Sequence, residues 1–412
     1  MSDHLAGGYD LVVFDLDGVV FLIDKPIPGA AGAIDRLRSG ATPIAFATNN
    51  ASRRAADVAA LLTGMGVNAE PAEVLTSAGA AAALLAERLP AGAPVLVVGA
   101  EALRAEVRDA GLTPVGTAED EPVAVVQGYG PEVGWKILAE ATLAVRAGAA
   151  WYATNTDRTL PSPRGPLPGN GSLVAVLRTA LGRDPDVVVG KPQPGLFRTA
   201  AAQSRAQRPL AVGDRLDTDI QGAVTAGMDS LLVLTGVSGP ADLLAAPADR
   251  RPTYVAADLS ALFRPAGESR LPAVGDEARP GDAARLPVSG VESGSGDGAR
   301  LPVSGVESGS GDGARLPVSG VESGSGDGAR VPVSEVGAGL GVSGDEVPWT
   351  ELGGWRLTRD ADRVTLDGSG SPVDALRLLC SATWTGVATS AITGGSDEAR
   401  ELVKSWNLPE AT

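Results

Sequence analysis

Tyr9-Asp-Leu-Val-Val-Phe14 runs directly into Asp15-Leu-Asp17-Gly-Val-Val20. Leu11 to Phe14 is an unbroken apolar run, the pattern of a strand buried on both faces of a parallel sheet. An ionised carboxylate at the end of such a strand is costly unless positive charge compensates it. Asp15 and Asp17 stand at that point, so the rest of the chain must supply the charge.

Working outward, further short apolar runs predict strands at 43–47, 95–98, 123–126, 151–154, 187–189, 210–212 and 231–234. Ala-rich amphipathic stretches between them predict helices at 52–64, 78–88, 132–146, 173–181 and 218–226. Continuous apolar strands alternating with helices define an α/β fold with a Rossmann-like parallel-sheet core. After the second strand, well over a hundred residues intervene before Lys191, too many for an ordinary connection. With strands of their own they are expected to form an inserted α/β cap. The expected division is 1–76 and 185–264 for the core and 77–184 for the cap.

The character changes at 265–348. The span contains no aromatic residue and repeats Arg-Leu-Pro-Val-Ser-Gly-Val-Glu-Ser-Gly-Ser-Gly-Asp-Gly-Ala verbatim from Arg285, Arg300 and Arg315. Units so rich in Gly and Ser bury too little to offset chain entropy, so a disordered linker is expected. On such a tether the remaining residues, 349–412, are expected to reach the cap mouth without being held there. Those residues read as a small α+β C-terminal module, with a strand pair at 355–359 and 364–367 and helices at 373–384 and 396–406.

Composition narrows the chemistry. The single histidine is His4, near the start, which removes Ser-His-Asp and Cys-His catalysis and His-based zinc sites. One cysteine, Cys380, allows no internal disulfide. A net charge of −16 argues against a nucleic-acid partner. No apolar run has membrane-spanning length and Met1-Ser-Asp-His is not a signal peptide, so no membrane association and a cytoplasmic location are expected. Four lysines, Lys25, Lys136, Lys191 and Lys404, stand against thirty arginines, which draws attention to any Lys at a strand end.

In parallel α/β sheets ligands gather beyond the carboxyl ends of the strands. There the sequence places Asp15 and Asp17, then Thr48-Asn49-Asn50 with Ser52 as a candidate helix cap, then Lys191-Pro192, then Asp214 with Asp219 five residues on. Asp15, Asp17 and Asp214 cannot share a pocket as bare anions, and Mg²⁺ with oxygen ligands would hold them together. Thr48 and Asn49 offer neutral donors and Lys191 a point charge, a set that suits phosphate oxygens. A carboxylate beside a metal can attack phosphorus, and a second carboxyl nearby can protonate the leaving alcohol. A calcium loop is excluded because Val19 and Phe21 stand where oxygen ligands are needed.

Asp-x-Asp-Gly-Val, Thr-Asn-Asn-x-Ser, Gly-Lys-Pro and Gly-Asp-Arg-Leu-Asp-Thr-Asp-Ile, in this order, resemble the four motifs of the haloacid-dehalogenase-type phosphatases. Thr154-Asn-Thr-Asp-Arg-Thr-Leu-Pro with Gly169-Asn-Gly-Ser-Leu is similar to the branch of p-nitrophenyl, phosphoglycolate and nucleotide phosphatases. The resemblance implies Asp15 as nucleophile and Asp17 as general acid and base. It implies Mg²⁺ held by the Asp15 carboxylate, the Asp17 backbone carbonyl and Asp214. Thr48, Asn49, Asn50 and Lys191 would bind the phosphoryl group, and Asp219 would orient Lys191 or a metal-bound water. The cap would roof the site and serve any self-association, with Asp157, Arg158 and Arg164 as candidates to touch substrate. The Trp-containing tail resembles that of the actinobacterial glycerol-3-phosphate phosphatases, a piece of an acetyltransferase fold. Its acyl-CoA loop is not matched, Gly368-Ser-Gly-Ser being the nearest approach, so a non-catalytic module is expected. A small phosphomonoester, glycerol 3-phosphate first, is the expected substrate. Phosphoglycolate or a nucleoside monophosphate is the alternative, and a non-catalytic scaffold the alternative of another class.

Overall fold

The computed structural model describes residues 4–23, 25–272, 350–360 and 363–408. The expected linker, 265–348, begins too early: Ala266–Glu268 form a helical turn, Arg270 bridges Tyr254 and Leu271 is buried, so 265–272 belong to the folded part, and from 273 the expected linker lies outside the described residues.

The core strands are β1 (Leu11–Phe14), β2 (Ile44–Thr48) and β3 (Val74–Thr76). The insert contributes β4 (Pro94–Val98), β5 (Thr113–Val115), β6 (Ala124–Gln127), β7 (Ala150–Ala153) and β8 (Val187–Val188). The chain then returns to the core for β9 (Pro209–Gly213), β10 (Asp229–Val233) and β11 (Tyr254–Ala256). The core sheet has the order β11-β10-β9-β1-β2-β3, and every pairing in it is parallel. β1 is therefore central, between β9 and β2.

Side chains alternate across a strand, so a strand covered on both sides must be apolar at every position. β1 shows this directly. Val12 and Phe14 pack with Ile34, Leu37, Val58 and Leu62 from the helices Ala30–Ser39 and Ala55–Gly64. Leu11 and Val13 pack with Leu196, Phe197 and Ala223 from the helices Gly195–Ser204 and Gln221–Ala226.

The insert repeats the design at smaller scale, as an all-parallel sheet of order β8-β7-β6-β4-β5. Val95 and Val97 face Ala81 and Leu85 of the helix Ser77–Arg88. Leu96 and Val98 face Leu138 and Leu177 of the helices Trp135–Arg146 and Asn170–Leu181. The expected boundary at 184/185 falls short, because β8 pairs with β7 inside the insert's sheet.

The C-terminal module is a four-stranded sheet with two helices, Pro372–Thr383 and Asp397–Ser405. Its strands are β12 (Glu351–Leu352), β13 (Trp355–Asp360), β14 (Arg363–Gly368) and β15 (Ile392–Gly394), in that order. β12, β13 and β14 run antiparallel and β15 adds parallel to β14, so the expected strand pair is the middle of a larger sheet. The module is not held loosely. Trp355, Leu376, Leu379 and Trp384 share one apolar cluster with Leu232 of β10, Val255 of β11, and Leu216, Leu243 and Leu244. It thus closes the face of the core sheet at its β10–β11 end.

Candidate active site

Four core segments bring polar side chains together at the carboxyl ends of β1, β2 and β9. Asp15 follows β1, and its backbone N–H donates to Val212 O at 2.8 Å, which locks the strand end to β9. Thr48 closes β2 and is buried. Asp214 follows β9 and is fully buried, while Asp219 sits on the wide helical turn Leu216–Ile220 that follows. That turn takes the place of the first residues expected to begin a helix at 218.

Lys191 supplies the positive charge that Asp15 requires. Its Nζ lies 2.5 Å from Asp15 Oδ1 and 2.7 Å from Asp219 Oδ1, and donates to Ala47 O at 2.8 Å. Asp219 Oδ2 accepts from the backbone N–H groups of Asp214 and Arg215 at 3.2 and 3.1 Å. Asp219 therefore orients Lys191 and ties it to the Asp214 loop. Burial opposes the charge on Lys191, but Asp15 and Asp219 outweigh it and hold the ammonium above its usual range.

One cation does not balance this set. Asp15, Asp214 and Asp219 offer carboxylate oxygens within 4.8 Å of one another. Burial, followed by the Asp219 charge, raises the Asp15 carboxyl well above the ordinary range, and Lys191 offsets this only in part. The same causes push Asp214 up to about 7. Asp214 Oδ2 accepts from Val237 N–H at 2.6 Å, yet its Oδ1 is buried with no donor facing it. A hard divalent cation answers both the surplus charge and the orphaned oxygen. Gly18 leaves room for this carboxylate: its φ is +85°, and a Cβ there would stand 2.5 Å from Asp214 Oδ2.

Asp17 is partly buried beside this group, and burial raises its carboxyl, opposed by Lys191 and Arg53. A carboxyl so held keeps its proton at a higher pH than an exposed aspartate and can donate it. Thr48 Oγ1 accepts from Asn50 N–H at 3.0 Å. Asn50 Oδ1 accepts from the N–H and hydroxyl of Ser52 at 2.8 and 2.9 Å, so Ser52 closes an Asx turn instead of capping the helix. The helix begins at Ala55, with Arg54 in the cap position. The Asn49 amide donates to Lys191 O at 3.0 Å and to Asp157 Oδ2 at 3.0 Å.

Of the three insert residues considered for the site, Asp157 alone is drawn in; Arg158 and Arg164 are exposed. Sequence reasoning passed over Arg215. Its guanidinium is gripped by Asp217 at 3.1 and 3.0 Å and is the leading opposite charge acting on Asp157. An arginine inside the Asp-Arg-Leu-Asp-Thr-Asp phrase was the available signal.

A family model described as haloacid dehalogenase-like hydrolase matches residues 12–113, and a second of that class matches 188–262. A GCN5-related N-acetyltransferase-like model matches 352–408. A D-glycerol 3-phosphate phosphatase of Mycobacterium tuberculosis is 51% identical over 273 residues, 66% of this chain and 75% of that protein. An acid sugar phosphatase of Staphylococcus haemolyticus is 36% identical over 255 residues, 61% of this chain and 94% of that one. The crystal structure of a glycerol phosphate phosphatase from M. tuberculosis, in complex with magnesium, superimposes with a TM-score of 0.74 at 37% identity. That match covers 98% of this chain and 99% of the other, so it includes the C-terminal module. A 4-nitrophenylphosphatase from Thermotoga maritima gives a TM-score of 0.58 at 30% identity, covering 63% of this chain and 98% of that one. This chain belongs to the haloacid dehalogenase-like hydrolases. No described helix is long and apolar enough to cross a membrane.

Proposed function

We propose that this protein is a Mg²⁺-dependent phosphatase of small phosphomonoesters, with glycerol 3-phosphate as the leading substrate. One observation carries the chemistry: Asp15 stands at the central strand end, bonded to a buried lysine and within 4.8 Å of Asp214 and Asp219. The magnesium-bound relative and the 51% identical glycerol 3-phosphate phosphatase favour the substrate.

In this reading an Asp15 oxygen attacks phosphorus, the P–O bond to the alcohol breaks, and an aspartyl-phosphate forms. The carboxyl of Asp17 gives its proton to the leaving oxygen, then takes one from the water that cleaves the acyl phosphate. Asp15, Asp214 and the Asp17 carbonyl would hold Mg²⁺, which neutralises phosphoryl charge during transfer. The Thr48 hydroxyl donates to a phosphoryl oxygen, and Lys191, whose three N–H groups are taken by Asp15, Asp219 and Ala47 O, lends its charge to the phosphoryl group as that group forms on Asp15. Asp219 keeps Lys191 charged and aimed. The insert's loop meets the site at Asn49 through Asp157 and Asn155, and the insert would restrict entry to compact esters. The C-terminal module is proposed to be non-catalytic.

A panel of phosphomonoesters scored by phosphate release tests this. Glycerol 3-phosphate should show the highest kcat/KM. A clear preference for phosphoglycolate or a nucleoside monophosphate would overturn the substrate, and release from none would favour the scaffold reading.

A further inference from the structure

An asparagine amide nitrogen carries two hydrogens. On Asn49 one points at Lys191 O and the other at the Asp157 carboxylate, 3.0 and 3.2 Å from its two oxygens. The flipped orientation would set the amide oxygen against a carbonyl and a carboxylate, so the assignment follows from chemistry. Neither hydrogen is left for a phosphoryl oxygen. The amide is also wedged in place: a Cβ on Gly190 would lie 2.5 Å from Asn49 Oδ1. The Asn49 side chain is thus a strut between the insert's loop and the lysine segment.

Its far end is rigidly mounted. Asp157 N–H donates to Asn155 Oδ1 at 3.1 Å, and Asp157 O accepts from Gly171 N–H at 2.8 Å. Asn155 Nδ2 donates to Asn49 O at 2.6 Å, and Asn170 Nδ2, on the first residue of the helix Asn170–Leu181, donates to Asn155 O at 2.7 Å. On the core side, Arg215 is the leading opposite charge acting on Asp157, its guanidinium is held by Asp217, and its backbone N–H donates to Asp219, which pairs with Lys191. Asp157 is therefore joined to the Lys191 carbonyl through Asn49, whose amide bonds both.

We propose that Asp157 is a positioning residue: acting chiefly through Asn49, it sets the placement of Lys191, so the inserted domain helps determine how tightly the phosphoryl group is held. This rests on the phosphatase reading above. It separates Asp157 from a residue that touches the alcohol part of the substrate, because a misplaced lysine weakens every phosphomonoester alike and weakens inorganic phosphate too.

The test uses the full-length Mg²⁺-loaded protein. Inorganic phosphate binding is measured by calorimetry, and kcat/KM on glycerol 3-phosphate and p-nitrophenyl phosphate, for wild type, Asp157→Ala, Asn49→Ala and the double variant. Losing a hydrogen bond to a charged group predicts that Asp157→Ala weakens phosphate binding about tenfold and lowers kcat/KM by a similar factor on both esters. The double variant should lose hardly more than Asn49→Ala alone, since coupled residues are not additive. Should Asp157→Ala fail to fold, Asp157→Asn, which keeps one acceptor for Asn49, should show a smaller loss of the same uniform kind. Unchanged phosphate binding, a loss confined to glycerol 3-phosphate, or additive losses would each overturn the proposal. Calorimetry needs no turnover, so a wild type that binds phosphate without releasing it from esters would sink the phosphatase reading and still leave this test standing.

Discussion

The insert and the C-terminal module meet the same core through seams of opposite material. At the insert the contacts are mainly hydrogen bonds and ion pairs, Asn49 with Asp157, Asn155 with Asn49 O, and Arg54 with Glu106 at 3.1 Å, and the apolar side chains that cross are the small alanines Ala51 and Ala80. At the module they are buried apolar side chains, with Trp384 and Leu376 against Leu243 and Leu244. The few polar bonds there are internal to the seam: Trp384 Nε1 donates to Leu243 O at 3.1 Å, and Arg377 Nε to Arg270 O at 2.9 Å. Water can replace a polar contact at a net cost near 1 kcal/mol. It cannot replace a buried Leu or Trp, each of which contributes about 1.5–3 kcal/mol or more on burial. A polar seam suits a domain that must part to admit substrate and close to exclude water. An apolar seam suits a domain that stays put. The difference teaches that position in the chain, before or after a long tract of repeats, says little about how firmly a domain is attached.

If that contrast holds, damage at the insert side should appear in catalysis and damage at the module side in stability. The largest effect should come from the site itself. Asp17→Asn removes the proton relay and should lower kcat by about 10²–10⁴-fold with an unchanged melting temperature. Lys191→Arg should be nearly as harmful as Lys191→Ala, because a planar fork cannot sit among Asp15, Asp219 and Ala47 O as a point charge does. Full activity of the arginine variant would remove Lys191 from the phosphoryl site.

Next in size is Trp384→Ala. Emptying a site that is 5% exposed in the module seam should cost about 3–5 kcal/mol, seen as a drop in melting temperature of the whole core. A separate early transition for the module, with the core unaffected, would contradict the apolar-seam account.

Smaller still is the pH effect. Asp214 is pushed up to about 7 from an ordinary value of 3.8, chiefly by burial. Between those values the folded state binds more protons than the unfolded state, so stability is full at low pH and falls as pH rises through about 7. With a chelator present, the melting temperature should therefore decline over that window. Excess Mg²⁺ should reverse the decline at neutral pH, since it binds the deprotonated site. The smallest effect is expected for Arg54→Ala, whose guanidinium is 43% exposed in its pairs with Glu106 and Asp109, so its loss should leave the melting temperature within error.

The core was legible because β1, β2 and β9 are continuous apolar runs ending in polar residues, and β10 carries such a run from Leu231. Of the strands the sequence concealed, β3, β5, β11, β12 and β15 are sheet edges of two or three residues, and the rest are the two-residue ribbons Phe21–Leu22 with Lys25–Pro26 and Thr159–Leu160 with Leu167–Pro168. An edge strand is too short to display a period, and β5 and β12 have no fully buried position to mark them. Asp15, Lys191, Asp214 and Asp219 could be read from strand ends, and the structure brings all four together. The part played by Asn49 could not, because a donor's target depends on a residue 108 positions away. The module's docking was hidden for the same reason. Leu243 and Leu244 look like ordinary helix residues until Trp384 covers them.

The central claim is that phosphorus passes through Asp15. Wild-type protein mixed with glycerol 3-phosphate and Mg²⁺, quenched in acid within one turnover and digested, should yield a phosphorylated peptide spanning Asp15. The label should be released by hydroxylamine, as an acyl phosphate is, and be absent from Asp15→Asn. A wild type that releases phosphate at full rate with no acid-trapped phosphoryl group on that peptide, or with it on another residue, would contradict the account.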